Sequence, residues 1–422
     1  MSQQSKQWGA IVIMIALFAM IAFVTNLCTP MATIIKNQGE ISNVLAQIGN
    51  YGNFVAYLVM GIPAGMLISK FGYKKTALIG LAVGCLGILI QWYSGQLDAK
   101  ENLGLVFGVY LVGAFIAGLC MCILNCVVNP MLNILGGGGN KGNQLIQIGG
   151  VFNSTAAVAC YILMGALIAD AAKAKIADAT PALMIALAIF VVAFIVILFT
   201  KIEEPEQAPV QLNLIKGAMS HRHFALGALA IFLYMGIEVG VPNFVQQYLV
   251  ADGIPAATVG LLVAVYWFMM LIGRFVGASI GSKVSSRAMI TVVSSVTIVL
   301  VLFGMFAPQG INVNFPGVDW GKLELIWQEI PVGIFAFLLV GLCTSVMWGA
   351  IFNMAVEGLG KYTAIASGIF MTMVFGCAVM MAIQAQVADF TDYITSFWVV
   401  VFCAAYLLFY ALIGSRVSHR EK

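Results

Sequence analysis

Amides stand in this chain at depths where hydrocarbon would offer them nothing. From Leu124 to Ser154 the sequence reads LNCVVNPMLNILGGGGNKGNQLIQIGGVFNS, and Asn125, Asn129, Asn133, Gln144, Gln147 and Asn153 interrupt its apolar residues. Lipid supplies no partner for these groups, so they must face protein, water or a ligand. Asn125 and Asn129 are four apart and share a helix face. With Asn153 across a tight glycine turn, they read as the wall of a polar pathway. Amides fork onto adjacent hydroxyl groups, and an aromatic face covers the apolar side of a small ring. Further amides of that kind are Asn26, Asn53, Asn243, Gln246 and Asn353; the candidate platforms are Tyr57, Tyr234, Tyr266, Trp267 and Trp348. The plainer use of any one of them is helix packing, since polar residues often join helices in membranes.

Charge is scarcer still. Glu238 is the one acid expected deep in an apolar segment, whereas Asp170, Glu357 and Asp389 fall near segment ends. A carboxylate at that depth can exchange a proton, hold sodium, bind a hydroxyl or pair with a base. Arg274 is the nearest intramembrane base, roughly 9 Å deeper at 1.5 Å per residue. All nine cysteines lie in apolar segments, and Cys120 and Cys122 are spaced C-x-C with no histidine nearby. Neither a disulfide framework nor a metal site is expected. Gly136 to Gly139 precede Asn140-Lys141-Gly142 rather than GK[ST], which makes a turn and not a nucleotide loop, so an ATP-driven pump is set aside. No acid, base and nucleophile meet at membrane depth, so neither enzyme chemistry nor a cofactor is expected.

The elements that position these groups are membrane helices. The 422 residues are 62% hydrophobic and only 9% charged, against roughly 25% charged in soluble domains. Lipid must be the solvent. Twelve spans of about 20 apolar residues fit: 9–35, 45–69, 76–96, 104–134, 145–170, 182–200, 223–249, 257–280, 288–306, 331–356, 363–386 and 396–414. The first follows a short polar tail and reads as retained. If both termini are cytoplasmic, fifteen of the 20 basic residues fall on that side, and only Lys36, Lys100, Lys173, Lys175 and Lys322 fall opposite. The net charge of +3, with no basic run interleaved with aromatics, gives no sign of nucleic-acid binding.

The charged, proline-bearing stretch from Lys201 to Arg222 separates two six-helix halves, residues 1–200 and 223–422. The second half echoes the first. Gly118-Leu119-Cys120 matches Gly341-Leu342-Cys343, Val55-Ala56-Tyr57 matches Ala264-Val265-Tyr266, and Gly150-Val151-Phe152 matches Gly368-Ile369-Phe370. This is the plan of the major facilitator superfamily, an all-α membrane fold of two pseudo-symmetric six-helix bundles with the site between them. The loop from Gly65 through Ser69, Lys70, Gly72, Lys74 and Lys75 resembles that superfamily's G-x-x-x-D-R-x-G-R-R/K signature. Ser69 replaces its aspartate. Gly65, Lys70, Gly72, Lys74 and Arg274 are therefore gating candidates, the ordinary alternative being a positively charged turn.

Longer strings resemble the fucose–galactose–glucose:proton symporters. They are Gly49-Asn50-Tyr51-Gly52-Asn53-Phe54 with Val59-Met60-Gly61-Ile62-Pro63-Ala64-Gly65; Asn129-Pro130 with Leu135-Gly136; Phe152-Asn153-Ser154; Tyr234-Met235-Gly236-Ile237-Glu238-Val239; Gly273-Arg274-Phe275-Val276-Gly277; and Gly358-Leu359-Gly360-Lys361-Tyr362-Thr363-Ala364. The resemblance implies uptake of a hexose or deoxyhexose across a bacterial inner membrane by cation symport, in a bundle that needs no partner chain. It also exposes a departure. The family's fucose permeases carry an aspartate late in the first helix and a glutamate in the fourth, and the matching positions here are Thr29 and Asn125. Neither takes up a proton, so coupling falls to Glu238 with proton or sodium, or the chain is a uniporter. An exporter on the same fold and a sugar sensor that moves nothing are the rival readings. The fifth helix lacks an exporter's proline, and no sizeable signalling domain is present.

Overall fold

The structure, a computed structural model, describes residues 8–39, 41–98, 102–135, 139–168, 174–202, 212–280, 284–308, 310–319, 322, 324–359 and 362–417, except for the side chains of 133, 134, 139–144, 147, 278, 280, 363 and 364. Helix α1 (Trp8–Asn26) is interrupted at Leu27 and continued by α2 (Cys28–Gly39); a single turn, α3 (Asn43–Ala46), leads into α4 (Ile48–Ser94). At 47 residues, a straight α4 would be about 70 Å long, more than twice the hydrocarbon thickness. It is instead broken at Gly72, where φ is 79° and ψ 173°, a conformation that is essentially glycine-only. The two arms lie side by side. Asn53 on one and Gly87 on the other abut neighbouring residues, Gly118 and Ala117, of α5 (Leu103–Leu135). Eleven helical segments are long and apolar enough to cross a membrane, and because α4 crosses twice the described residues make twelve spans.

Helix α6 (Gly139–Leu167) and α7 (Thr180–Phe199) complete the first set of six. Past the short α8 (Ile215–Ser220) come α9 (Arg222–Ala251), α10 (Ala256–Ile280) and α11 (Ser286–Phe306). Then follow α12 (Val332–Val356), α13 (Thr363–Met373), α14 (Gly376–Phe390) and α15 (Trp398–Phe409), the last continued by a π-helical turn to Gly414. Within each set the helices pack mainly on one another, and the sets meet chiefly where α6 lies on α10 and α4 on α13. Of the expected linker, Lys201, Ile202 and 212–222 are described; 203–211 lie outside the described residues.

The internal repeats occupy equivalent places. Gly118 presses on the backbone of Asn53 beside Ala56, and Gly341 presses on the backbone of Tyr266. A side chain at either glycine would overlap a carbonyl oxygen, so both let two helices meet backbone to backbone. Gly150 lies against Arg274 of the second set, and Gly368 lies beside Ile62 of the first. Fourth meets second as tenth meets eighth, and fifth meets eighth as eleventh meets second. This is two-fold pseudo-symmetry.

One element is additional to the helices. Strands β1 (Asn312–Asp319) and β2 (Glu324–Pro331) form an antiparallel hairpin between α11 and α12. Its inner face pairs Val313 with Ile330, Phe315 with Gln328 and Gly317 with Ile326, and Gly317 rests on Thr258 of α10. Pro316 and Gly317 hide this strand from a reading of the sequence, since both are depleted in strand interiors. The hairpin marks one end of the bundle, which also carries the α2–α3 and α9–α10 turns. The opposite end carries Lys74.

Candidate functional site

Midway along the bundle a polar and aromatic band crosses from one set of helices to the other. On α9, the Glu238 carboxylate lies near the Tyr234 hydroxyl and in the electrostatic field of Arg274 on α10, and the Tyr234 hydroxyl donates to the Thr344 carbonyl at 3.4 Å. Tyr266 holds that region in place: its hydroxyl donates to the Glu238 carbonyl at 3.0 Å and lies 3.2 Å from Thr344 Oγ1 on α12. Arg274 Nη1 donates to Ser154 Oγ at 2.8 Å, to Asn153 Oδ1 at 3.4 Å and to the Gly150 carbonyl, all on α6 of the other set. Asn153 Nδ2 in turn donates to the Phe18 carbonyl on α1 at 2.9 Å. Above this, Tyr161 stacks on Trp267 with ring centroids 6.4 Å apart, and the Tyr161 hydroxyl donates to Asn26 Oδ1 at 3.3 Å. The band thus joins α1 and α6 to α9, α10 and α12.

The two positions where the resembled family has acids are filled by neutral groups that meet phenols. Thr29 is buried and lies against the Tyr161 hydroxyl. Asn125 Nδ2 donates to the Tyr57 hydroxyl at 3.0 Å. Asn129 Nδ2 donates to the Asn125 carbonyl at 3.2 Å, one turn back. Of the expected amide wall, Asn125, Asn129 and Asn153 are all half-buried, and of these three only Asn153 bonds across the boundary between sets. The side chains of Asn133, Gln144 and Gln147 lie outside the described residues.

A second polar cluster lies toward the hairpin end and takes in two candidates expected at the first. Gln47 and Asn243 exchange hydrogen bonds, Nε2 to Oδ1 and Nδ2 to Oε1, each 3.1 Å. Asn50 donates to Gln47 Oε1 at 2.6 Å, and Gln247 donates to Asn243 Oδ1. Gln246 Nε2 lies 3.5 Å from Thr33 Oγ1. Asn53 lies elsewhere again, lining a cavity within the first set beside Gln91 and Tyr110. Asn53 Nδ2 and Gln246 Oε1 are buried without a partner among the described residues. Asn353 is exposed and enters none of these bonds. Gln47, Asn50, Ser154 and Tyr161 are not among the candidates read from the sequence: Asn50 and Ser154 stand there within strings that carry the family resemblance, and Gln47 and Tyr161 as polar residues of apolar helices.

At the bundle surface by the hairpin, Tyr393 donates to Asn43 Oδ1 at 2.8 Å and accepts from Lys36. Burial pushes the Tyr393 phenol up to about 12, with the Asn43 bond opposing and the Asp389 charge adding, so it stays a donor. At the opposite end, Lys74 Nζ reaches the Leu198 and Thr200 carbonyls at 3.1 and 2.8 Å, the C-terminal end of α7. A cation there complements the helix dipole and its unpaired carbonyls. Ser69 Oγ donates to the Gly65 carbonyl at 3.1 Å.

Twelve spans in two related sets, with a polar band between them, define a facilitator-type membrane fold. The chain belongs to the Major Facilitator Superfamily, which it matches over residues 11–383. It is similar to the glucose/galactose transporter of Brucella abortus biovar 1 (strain 9-941), 27% identical over 425 residues, covering 98% of this chain and 96% of that protein. It is also similar to the L-fucose-proton symporter of Escherichia coli (strain K12), 21% identical over 434 residues, covering 96% and 92%. Among solved structures, the transporter FucP in the outward conformation superposes with a TM-score of 0.69 at 19% identity, covering 96% of this chain and 99% of that one.

Proposed function

We propose that this chain is a secondary transporter that takes up a monosaccharide, a hexose or deoxyhexose, together with a cation. The observation that carries the reading is the band between the halves. It combines an aromatic stack (Tyr161 on Trp267), amides and hydroxyls from both sets, and one carboxylate in the field of one guanidinium. Such a set binds a polyol ring by its edge and face at once. The relatives named as sugar carriers support the substrate class. The coupling cation, proton or sodium, would be taken at Glu238, the one mid-span carboxylate among the described residues.

The cycle follows from this arrangement. Glu238 is half-buried and shares its field with Arg274, so a cation arriving at Glu238 offsets the charge that holds Arg274. Arg274 spans the boundary to α6, and a change in its hold would alter how the halves sit on each other. Sugar between the halves would be released by rocking of the bundles. In this reading the Lys74 end is cytoplasmic, as the basic residues favour, in a bacterial inner membrane. One chain suffices for the site, because both halves that build it are present.

The direct test is counterflow of labelled glucose, galactose and fucose in proteoliposomes, with no ion gradient. We expect exchange of at least one, and an apparent affinity 2- to 10-fold weaker in Asn153→Ala, the range of one lost neutral hydrogen bond. Sugar binding without counterflow would make the chain a sensor. Movement of cationic dyes in place of sugars would make it an exporter.

A further inference from the structure

We propose that Asp389 on α14 is a latch residue that holds the halves together at the hairpin end, by capping a helix turn that belongs to the opposite half. The inference rests on the transport reading only in that transport requires the halves to part at this end.

The turn α3 has four N–H groups to satisfy. Leu45 N–H donates to Ser42 Oγ at 3.3 Å and Ala46 N–H to the Ser42 carbonyl at 3.0 Å, both local. The other two go elsewhere. Asn43 N–H donates to Asp389 Oδ1 at 2.8 Å, and Val44 N–H donates to Asp389 Oδ2 at 3.1 Å. Among the described residues, none in the first half supplies that pair of acceptors; a carboxylate 345 residues away does. An anion at a helix start is favoured by the donors and their alignment. Around this cap the same two segments bond again, Tyr393 donating to Asn43 Oδ1 and Lys36 donating to Tyr393. One layer inward, the Gln47–Asn243 pair joins α9 to the start of α4.

Each of these contacts runs between halves, and each uses a group that water can replace when the halves separate. Asp389 and Leu45 lie at the exposed surface, while Asn43 and Gln47 beneath them are buried. The cap is thus the outermost of two layers, where opening must begin. Its cost of release is small because water at this surface receives the freed donors. A contact of that kind suits a gate that opens once in every cycle.

The test reads accessibility on both sides of the boundary in lipid nanodiscs. Ile34 is 1% exposed and lines the inter-half cavity behind the latch together with Gln246. Ile62 sits beside Gly368, farther toward the Lys74 end. Maleimide labelling of Ile34→Cys and Ile62→Cys would be compared with the protein lacking the added cysteine. Asp389→Ala should raise labelling at position 34 by about 5- to 10-fold, the net effect of about one ordinary hydrogen bond exchanged with water, and lower it at position 62. Asp389→Asn, which keeps one acceptor oxygen, should give a smaller shift, and Tyr393→Phe should shift both labels in the same directions. Unchanged labelling at 34 in Asp389→Ala would overturn the latch, as would a rise at both positions, which marks a loosened fold. Opposite shifts in a protein that moves no sugar would leave the latch standing and refute the substrate reading alone.

Discussion

Glu238 was legible in the sequence because a lone carboxylate in twelve apolar segments has few uses, and its neighbourhood was not. Its closest associates, Tyr234, Tyr266, Thr344 and Arg274, come from three helices, and only packing puts them together. The same holds for the amides. Asn125 and Asn129 do share a face, but Asn129 bonds back to its own helix, while Asn243 and Gln246 serve the hairpin-end cluster. Spacing tells which side chains share a face, not what that face meets. A titration at the surface shows the same dependence on detail. Slight burial pushes the Asp392 carboxyl up, but bonds from the Thr395 hydroxyl at 2.6 Å, the Thr395 N–H at 2.8 Å and the Ile394 N–H outweigh it and hold the group below the ordinary carboxylate value. Because the folded value is the lower one, the contribution is present above the unfolded value and lost as pH falls through the folded one. Asp392→Ala should therefore lower the melting temperature at pH 7, with the difference shrinking below about pH 4. A difference that is constant from pH 7 to pH 3 would contradict this.

At the scale of elements, apolar run length was enough to find every span, because bilayer thickness sets it. The predicted 331–356 is Val332–Val356 in the structure, and 396–414 falls on Thr395–Gly414. The exception in form is α4, whose two spans follow each other with Gly72 as the break and Lys74 capping the neighbouring α7. At φ 79° and ψ 173° any side chain is strained, by about 1 to 3 kcal/mol. Gly72→Ala should lower stability by that amount in thermal unfolding in detergent, whereas Gly9→Ala, where an added methyl meets open space, should change little. Equal effects would refute the special role of the break. The hairpin β1–β2 is not legible in the sequence for the opposite reason: its Pro316 and Gly317 read as loop, and only the folded chain shows them paired with Trp327 and Ile326.

For the whole molecule, the repeats announced the architecture, and the structure shows why they persist at glycines. Gly118 and Gly341 allow equivalent helix crossings inside the halves, and Gly150 and Gly368 lie at equivalent crossings between them. What breaks the symmetry is function. The only mid-span carboxylate among the described residues lies in the second half, while both first-half positions that match the resembled family's acid pair hold neutral residues, Thr29 and Asn125, each against a tyrosine. We therefore propose that ion coupling rests on Glu238 rather than on the first half. The most direct measurement is labelled sugar accumulation in proteoliposomes under inward proton or sodium gradients, for the wild type and Glu238→Gln. We predict accumulation driven by one of the two ions in the wild type. In the variant the accumulation ratio should fall to about one, with gradient-free counterflow retained. Undiminished uphill accumulation by Glu238→Gln would contradict it.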